Sequence, residues 1–363
     1  MRPIQSTVNI RSFRFERTKA LVDQKKVVVF SVAAACSLAV IIALAVPGIR
    51  HTSPNAGPEI TVQPAVQIQG EPLQPLPPDP KLDLHKVALG EKLFVEKRLS
   101  HDDTISCASC HDLSKGGTDN AGHSIGIQGQ IGGINAPSVY NCGLNFVQFW
   151  NGRAESLEDQ VNGPTHHPKE MGSSWDEIIG KLKKDAGYTA DFAAIYQDGI
   201  LAQNIRDAIA TYERSLNTPN SAFDRYLQGD KAALSKEAVT GYSLFKSYGC
   251  ASCHQGANVG GNMYQHMGVM KDYFLWRGNL TEADYGRYSV TKNEADRFVF
   301  RVPSLRNIAK TAPYFHDGSA SSLTAAIQIM AKYQLGRPMP EEDLSKIVSF
   351  LDSLTGEYHG AHI

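Results

Sequence analysis

Cys107-Ala108-Ser109-Cys110-His111 returns later in the chain as Cys250-Ala251-Ser252-Cys253-His254, and Leu-Phe precedes each copy, at Leu93-Phe94 and Leu244-Phe245. Cys-x-x-Cys-His is the attachment sequence for c-type haem: two thiols form thioethers with the vinyl groups, and the adjoining imidazole reaches the iron. Two identical copies, each with its His, predict two covalently bound haem c groups on Cys107, Cys110, Cys250 and Cys253, with His111 and His254 as iron ligands. The competing readings are a pair of disulfides or a four-Cys zinc site. Both leave the two His residues unexplained, and a zinc site also has to join pentads far apart in sequence.

Working outward, Leu84, Val87, Ala88, Glu91 and Phe94 lie at helical spacing, as do Ile205, Ala208, Ile209, Tyr212 and Leu216. Leu344, Ile347, Val348, Leu351 and Leu354 repeat the stripe, and Gly356 follows as a stop signal. No stretch sustains strand alternation. The expected fold is therefore mainly α, with two cytochrome c-like haem domains at 81–231 and 232–363. The boundary falls near Gly229–Ser235, where Gly-Asp and then Ser interrupt the helical pattern, and the C-terminal helix has the option of packing back onto the first domain.

Upstream, the basic stretch 1–26 precedes the uncharged apolar run Val27–Val46. About 20 residues suffice to cross the roughly 30 Å hydrocarbon core, and positive charges ahead of a span hold that end in the cytoplasm. The expectation is a membrane anchor over 27–46 that leaves the rest of the chain in the periplasm. A cleaved signal is the alternative, since Ala43-Leu44-Ala45 has the small-x-small form of a processing site. Residues 47–80, with many Pro, Gln and Gly, read as an extended linker between membrane and folded body. Cys36 within the apolar run and Cys142 beyond it read as small apolar residues. The 363 residues carry 36 Lys+Arg against 37 Asp+Glu, a formal charge of -1. With no basic stripe, nucleic acid is not an expected partner.

From Leu84 to Gly356 the chain resembles the bacterial dihaem cytochrome c peroxidases. The residues that carry the resemblance include Gly116-Gly117-Thr118-Asp119-Asn120, Asn135-Ala136-Pro137, Gln148-Phe149-Trp150-Asn151-Gly152-Arg153-Ala154, Gly163-Pro164 and Glu170-Met171. Around the second pentad they include Phe300-Arg301, Leu305-Arg306-Asn307, Thr311-Ala312-Pro313-Tyr314-Phe315-His316, Ile329-Met330 and Gln334-Leu335-Gly336. The resemblance implies reduction of hydrogen peroxide to water at the first haem, with electrons entering through the second from a small soluble cytochrome c or a cupredoxin. It implies Glu170 as the acid/base on peroxide, Gln160 as its distal companion, Met330 as far-side ligand of the second iron and Trp150 between the haems. It further implies a calcium ion on oxygens of Asn135, Thr311 and Pro313, a suitable hard-cation set, and pairing into a homodimer. Arg301 and Arg306 are candidates for propionate pairing, because guanidinium forks suit carboxylates; His316 is expected near the second haem.

One position departs from the pattern. Many members of that family cap the first iron with a His, in the loop after the first pentad, and release it on reduction; Ser124-Ile125-Gly126-Ile127 puts Ile127 there. An aliphatic side chain cannot ligate iron, so the first haem is expected to be open, with His123 on the same loop as the substitute cap. Two other functions compete: a dihaem electron carrier, which has no need of Glu170 and Gln160, and a MauG-like enzyme oxidising tryptophans of a partner protein. The latter carries Tyr where this chain has Met330, with Tyr333 displaced by three residues.

Overall fold

The architecture follows from a helix pair used twice. A computed structural model describes residues 67–363, which fall in one compact unit. The first module is built on α1 (Leu84–Phe94), α2 (Trp175–Leu182), α3 (Ala186–Ile195) and α4 (Ala202–Ser215). The second has α5 (Lys236–Tyr248), α6 (Leu323–Ile329) and α7 (Glu341–Asp352). Local chemistry sets the helix ends. The Asp83 carboxylate accepts from the backbone N–H of His85 and Lys86 at the start of α1, and Ser235 accepts from Ala238 N–H at the start of α5, so orphan donors of the first turn are satisfied. Glu341, Glu342 and Asp343 place negative charge on the positive end of the α7 dipole.

In the first module α1 crosses α4, and in the second α5 crosses α7. A Cβ added to Gly90 in α1 would lie 2.0 Å from the Ala208 carbonyl oxygen of α4, and one added to Gly241 in α5 would lie 1.9 Å from that of Lys346 in α7. Each crossing thus needs a glycine four residues before the Phe of the Leu-Phe pair, and the repeat extends beyond the pentads into helix packing. The first core gathers Leu93, Ile178, Leu182, Phe192 and Ile205; the second gathers Leu73, Phe223, Phe245, Ile347 and Phe350. Strands are short: β1 (Tyr264–His266) pairs antiparallel with β2 (Val299–Arg301), Gln265 facing Phe300, and a two-residue pair joins Glu357–Tyr358 to Ala361–His362.

Two boundaries differ from the sequence expectation. The folded body begins before Lys81. Leu73 is fully buried in the second core, Gln74 N–H donates to the Gly256 carbonyl and Gly256 N–H to that of Pro72, and Leu76 N–H donates to Asp224. The residues from 67 to 80 are therefore part of the fold; their Pro content suits an extended strap lying along α5 and the second pentad. At the other end α7 stays with the second module, and it is the last few residues that reach back. Tyr358 meets Tyr140 edge to face, with ring centroids 5.4 Å apart, and Tyr358 and Ile363 pack on the first module. The basic stretch 1–26, the apolar run 27–46 and the linker up to residue 66 lie outside the described residues, and among those described no helix is long and apolar enough to cross a membrane.

Candidate functional site

Each pentad winds into a single tight turn, with the His N–H donating to the carbonyl of the first Cys: His111 to Cys107 and His254 to Cys250, both at 3.0 Å. In both copies the ring then meets a nearby backbone carbonyl. His111 Nδ1 donates to the Gly117 carbonyl at 3.3 Å, and His254 Nδ1 to that of Val259 at 3.4 Å. With Nδ1 fixed as the donor, Nε2 keeps its lone pair for a metal. Burial holds both rings neutral, pushing His254 down to about 4 and His111 in the same direction. Burial also pushes the Cys107 thiol up to about 12 and Cys250 up to about 11.

The disulfide and zinc readings fail on geometry as well. None of the five described cysteines forms a disulfide, and the metal-like cluster found among the described residues is Asp284, His316 and Asp317, which contains no Cys. Arg277 already bridges its two carboxylates.

The second pentad opens onto a cavity of about 250 Å³ lined by Cys250, Cys253, His254, Met330, Trp150 and Arg301. Its walls are apolar side chains of α5, α6 and α7, which suits a haem. Met330 faces this cavity at the head of a π-helical turn, Met330–Gln334, a distortion frequent at functional positions. Gln334 pins the turn to β1: its amide nitrogen donates to the His266 carbonyl at 3.0 Å, and its amide oxygen accepts from Gly268 N–H at 2.8 Å. Sequence reading quoted Gln334 without giving it this part, and only the fold reveals it.

The two arginines separate. Arg301 is 3% exposed and has no carboxylate partner; it donates to the Phe149 carbonyl and to Asn145 Oδ1. Burial pushes it down to about 10, so it is charged at neutral pH. A buried guanidinium without a counter-charge, on the wall of the apolar cavity beside the second pentad, fits a propionate. Arg306 does not fit that role. Its Nε donates to the Ala257 carbonyl, and its two terminal nitrogens bond Asp224, Ser221 and the Gln74 carbonyl. Arg306 has no donor left for a propionate and serves as the clamp between the strap, Asp224 and the second pentad loop.

Beside the first pentad, Glu170 is fixed by its backbone. Its N–H donates to the His167 carbonyl at 3.0 Å, its carbonyl accepts from Ile127 N–H at 2.9 Å, and the neighbouring Met171 is buried in the first core. The carboxylate lies 3.4 Å from His167. Burial pushes the Cys110 thiol up, and the charges of Asp119 and Glu170 add to the effect, which places Glu170 within electrostatic reach of the haem attachment point. Gln160 ends a short helix, Leu157–Gln160, and is half-buried.

Ile127 is 6% exposed, and a Cβ added to Gly172 would lie 2.4 Å from its Cδ1, so its side chain fills the space over that glycine. His123 points outward on the same loop, which Gly126 N–H to Gln130 and Gly132 N–H to Ser124 tie together.

Asn135 joins the modules. Its backbone N–H donates to the His316 carbonyl, its amide nitrogen to the carbonyls of Pro313 at 2.8 Å and Phe315 at 3.0 Å, and its own carbonyl accepts from Trp150 Nε1 at 2.9 Å. Asn135 and Pro313 thus converge, but through nitrogen; a calcium ion there requires the amide turned over so that its oxygen faces the ion. His316 lies on the cavity wall, its Nε2 bonded to Asp284 at 2.7 Å.

Comparison with known proteins identifies the family. The family model described as di-haem cytochrome c peroxidase matches residues 84–232, and that of cytochrome c matches 238–355. The cytochrome c peroxidase Ccp of Escherichia coli strain K12 is 48% identical over 81% of this chain, which spans 63% of that relative's length. The cytochrome c551 peroxidase of Nitrosomonas europaea is 45% identical, with 80% of this chain and 86% of the relative covered. Among solved structures, a MauG-like protein associated with microbial copper homeostasis superposes with a TM-score of 0.69 at 28% identity, over 80% of this chain and 95% of the other. The chain belongs to the di-haem cytochrome c peroxidase family.

Proposed function

We propose that the chain reduces hydrogen peroxide to water in the periplasm, with the site beside Glu170 taking peroxide and the cavity holding Met330 taking electrons from a small soluble cytochrome c or cupredoxin. When bound, the two haems supply the redox chemistry, one iron for peroxide and one for electron transfer. The residues of the chain supply the rest. Glu170 accepts a proton from one peroxide oxygen and returns it to the other, assistance worth about 10²–10⁴ in rate. Gln160 offers an amide to the same substrate. Met330 gives the second site a thioether ligand, which favours the reduced iron, and Trp150 lies on the wall shared with the first module. The observation that carries the proposal is the asymmetry of two matched pentads: a fixed carboxylate accompanies the first, a half-buried thioether on the cavity wall the second. A pure electron carrier has no use for the former, and the MauG-like alternative needs Tyr at Met330.

Ile127 supports an open first site that needs no prior reduction. Its side chain is packed, and His123 reaches inward only if the loop bonds break. A calcium ion between Asn135, Thr311 and Pro313, a homodimer and tethering through 27–46 complete the reading. The test is electron paramagnetic resonance and peroxide turnover on the fully oxidised full-length holoprotein, before any reductant is added. A high-spin first centre and immediate turnover with donor are expected. Two low-spin centres, with turnover only after one-electron reduction, would overturn the open-site reading.

A further inference from the structure

An unbroken run of rings leads from the second cavity to the surface. Trp150 and His316 line the cavity. Trp150 lies 6.3 Å from His316, His316 6.0 Å from Phe274, and Phe274 5.2 Å from Tyr273. Tyr273 then lies 5.5 Å from Tyr333 and 5.9 Å from Trp276, and Tyr333 4.9 Å from Trp276, all between ring centroids. Each spacing is that of rings in contact. His316, Phe274, Tyr273 and Tyr333 are buried, whereas Trp276 is 56% exposed.

We infer that this run is an outlet for oxidising equivalents, with Trp276 as the residue that surrenders an electron when peroxide arrives and no donor is bound. The inference rests on the peroxidase reading. Peroxide takes up two electrons and two protons to give two waters; in the absence of donor, a haem iron would give one electron and Trp276 the other, through Tyr333, Tyr273, Phe274 and His316. The Trp276 indole proton goes to water, leaving a neutral radical. A later donor electron and a proton restore the indole, or dissolved dioxygen adds to it.

The groups along the run fit a transient passage. The Tyr333 hydroxyl is buried with no hydrogen-bond partner, so no base takes its proton and no charge settles there. Tyr273 has Ser319 Oγ at 3.0 Å. Lys332 Nζ lies 5.2 Å from the Trp276 centroid and 4.9 Å from that of Tyr333, and the Arg277 guanidinium 5.9 Å from Tyr273. These cations make the rings harder to oxidise, so only the peroxide-oxidised protein draws electrons through them, and normal electron entry is not short-circuited.

The experiment treats donor-free holoprotein with stoichiometric peroxide and follows oxygen addition by peptide mass spectrometry, with an electron paramagnetic resonance record of the radical. Met270, 60% exposed and outside the run, is the internal control. Expected are labelling of Trp276 several-fold above Met270, loss of that excess when reduced donor is present or in Tyr273→Leu, and loss of the radical signal in Trp276→Phe. Equal labelling of Trp276 and Met270 in the wild type, or an unchanged radical in Trp276→Phe, would overturn the outlet even if Tyr273→Leu fails to fold. Peroxide left unconsumed overturns the peroxidase reading and the outlet together; peroxide consumed with Trp276 unlabelled overturns the outlet alone.

Discussion

Replacing Glu170 by Gln separates catalysis from stability. The substitution keeps the shape of the side chain and leaves untouched the backbone bonds to His167 and Ile127 that hold the loop. Among the described residues the carboxylate's ion-pair partner is His167 at 3.4 Å, with the Glu170 and His167 side chains 35% and 45% exposed. A pair so open to water is worth no more than about 1 kcal/mol, which for a protein of this size moves the melting temperature by about 2–4 °C at most. The loss of proton transfer, in contrast, removes about 10²–10⁴ in rate, or about 2.7–5.4 kcal/mol of barrier. Turnover under saturating donor, measured beside thermal unfolding of the same holoprotein, reads both quantities. The expected result is a collapse of kcat with unfolding nearly unchanged. Peroxide turnover within tenfold of wild type would show that Glu170 is a solvated loop carboxylate and refute its assignment as acid/base.

Three other predictions follow from the packing. A chain begun at Lys81 loses the strap: burial of Leu73 alone is worth about 2–5 kcal/mol, and Arg306 and Asp224 lose bonds to Gln74 and Leu76, so thermal unfolding should fall by well over 4 °C; an unchanged midpoint would return these residues to the linker. Arg301→Met removes a buried positive charge that has no protein counter-charge and should lower the second haem's reduction potential in a spectroelectrochemical titration, whereas Arg306→Met leaves Asp224 buried without its partner and should act mainly on stability, by about 3–5 kcal/mol; the reverse pattern would exchange their roles. The Glu213 carboxyl is pushed up to about 8 by burial, so the folded state holds its proton more tightly than the unfolded chain, and the cost of ionising it grows as pH rises from about 5 to 8. Glu213→Gln should remove that pH-dependent loss, and parallel melting curves for wild type and variant across this range would contradict it.

What the sequence made legible was whatever repeats or keeps a period. The paired pentads announce two haem attachments because the spacing of two thiols and an imidazole is chemistry in itself, and the stripes through Ile205, Ala208 and Ile209 and through Leu344, Ile347 and Leu351 are buried faces of helices. The strap was not legible: Leu73 and Leu76 stand among prolines with no period, and their burial depends on a groove formed by residues far along the chain. Nor was the difference between Arg301 and Arg306. Both stand in basic motifs near the second pentad, and only the arrival of Asp224 and the Gln74 carbonyl at Arg306 uses up its donors while Arg301 is left unpaired. Gly90 and Gly241 sat four residues ahead of quoted Phe residues, but their purpose, the close approach of two helices, is a property of pairs.

The duplicated architecture bears on how two sites of one design come to differ. On the near side the copies share their bonding: the His N–H to the carbonyl of the first Cys, an Nδ1 bond to a nearby carbonyl, and a neutral buried imidazole. Nothing there distinguishes a site for peroxide from a site for electrons. The far sides are built from unrelated pieces. Glu170 stands on a loop after Gly163-Pro164 and is held by Met171 and Ile127, while Met330 stands on a π-helical turn at the end of α6, held through Gln334 to β1. Because these supports share no residues, either far side can change without disturbing the other or the attachment beneath it. On the reading proposed above Ile127 is such a change: packed aliphatic volume stands where many family members place a ligand, and the carbonyl of Glu170 still receives its backbone bond. A redox gate would thus be lost from the first site while the proposed acid/base, Glu170, and the proposed second ligand, Met330, keep their supports.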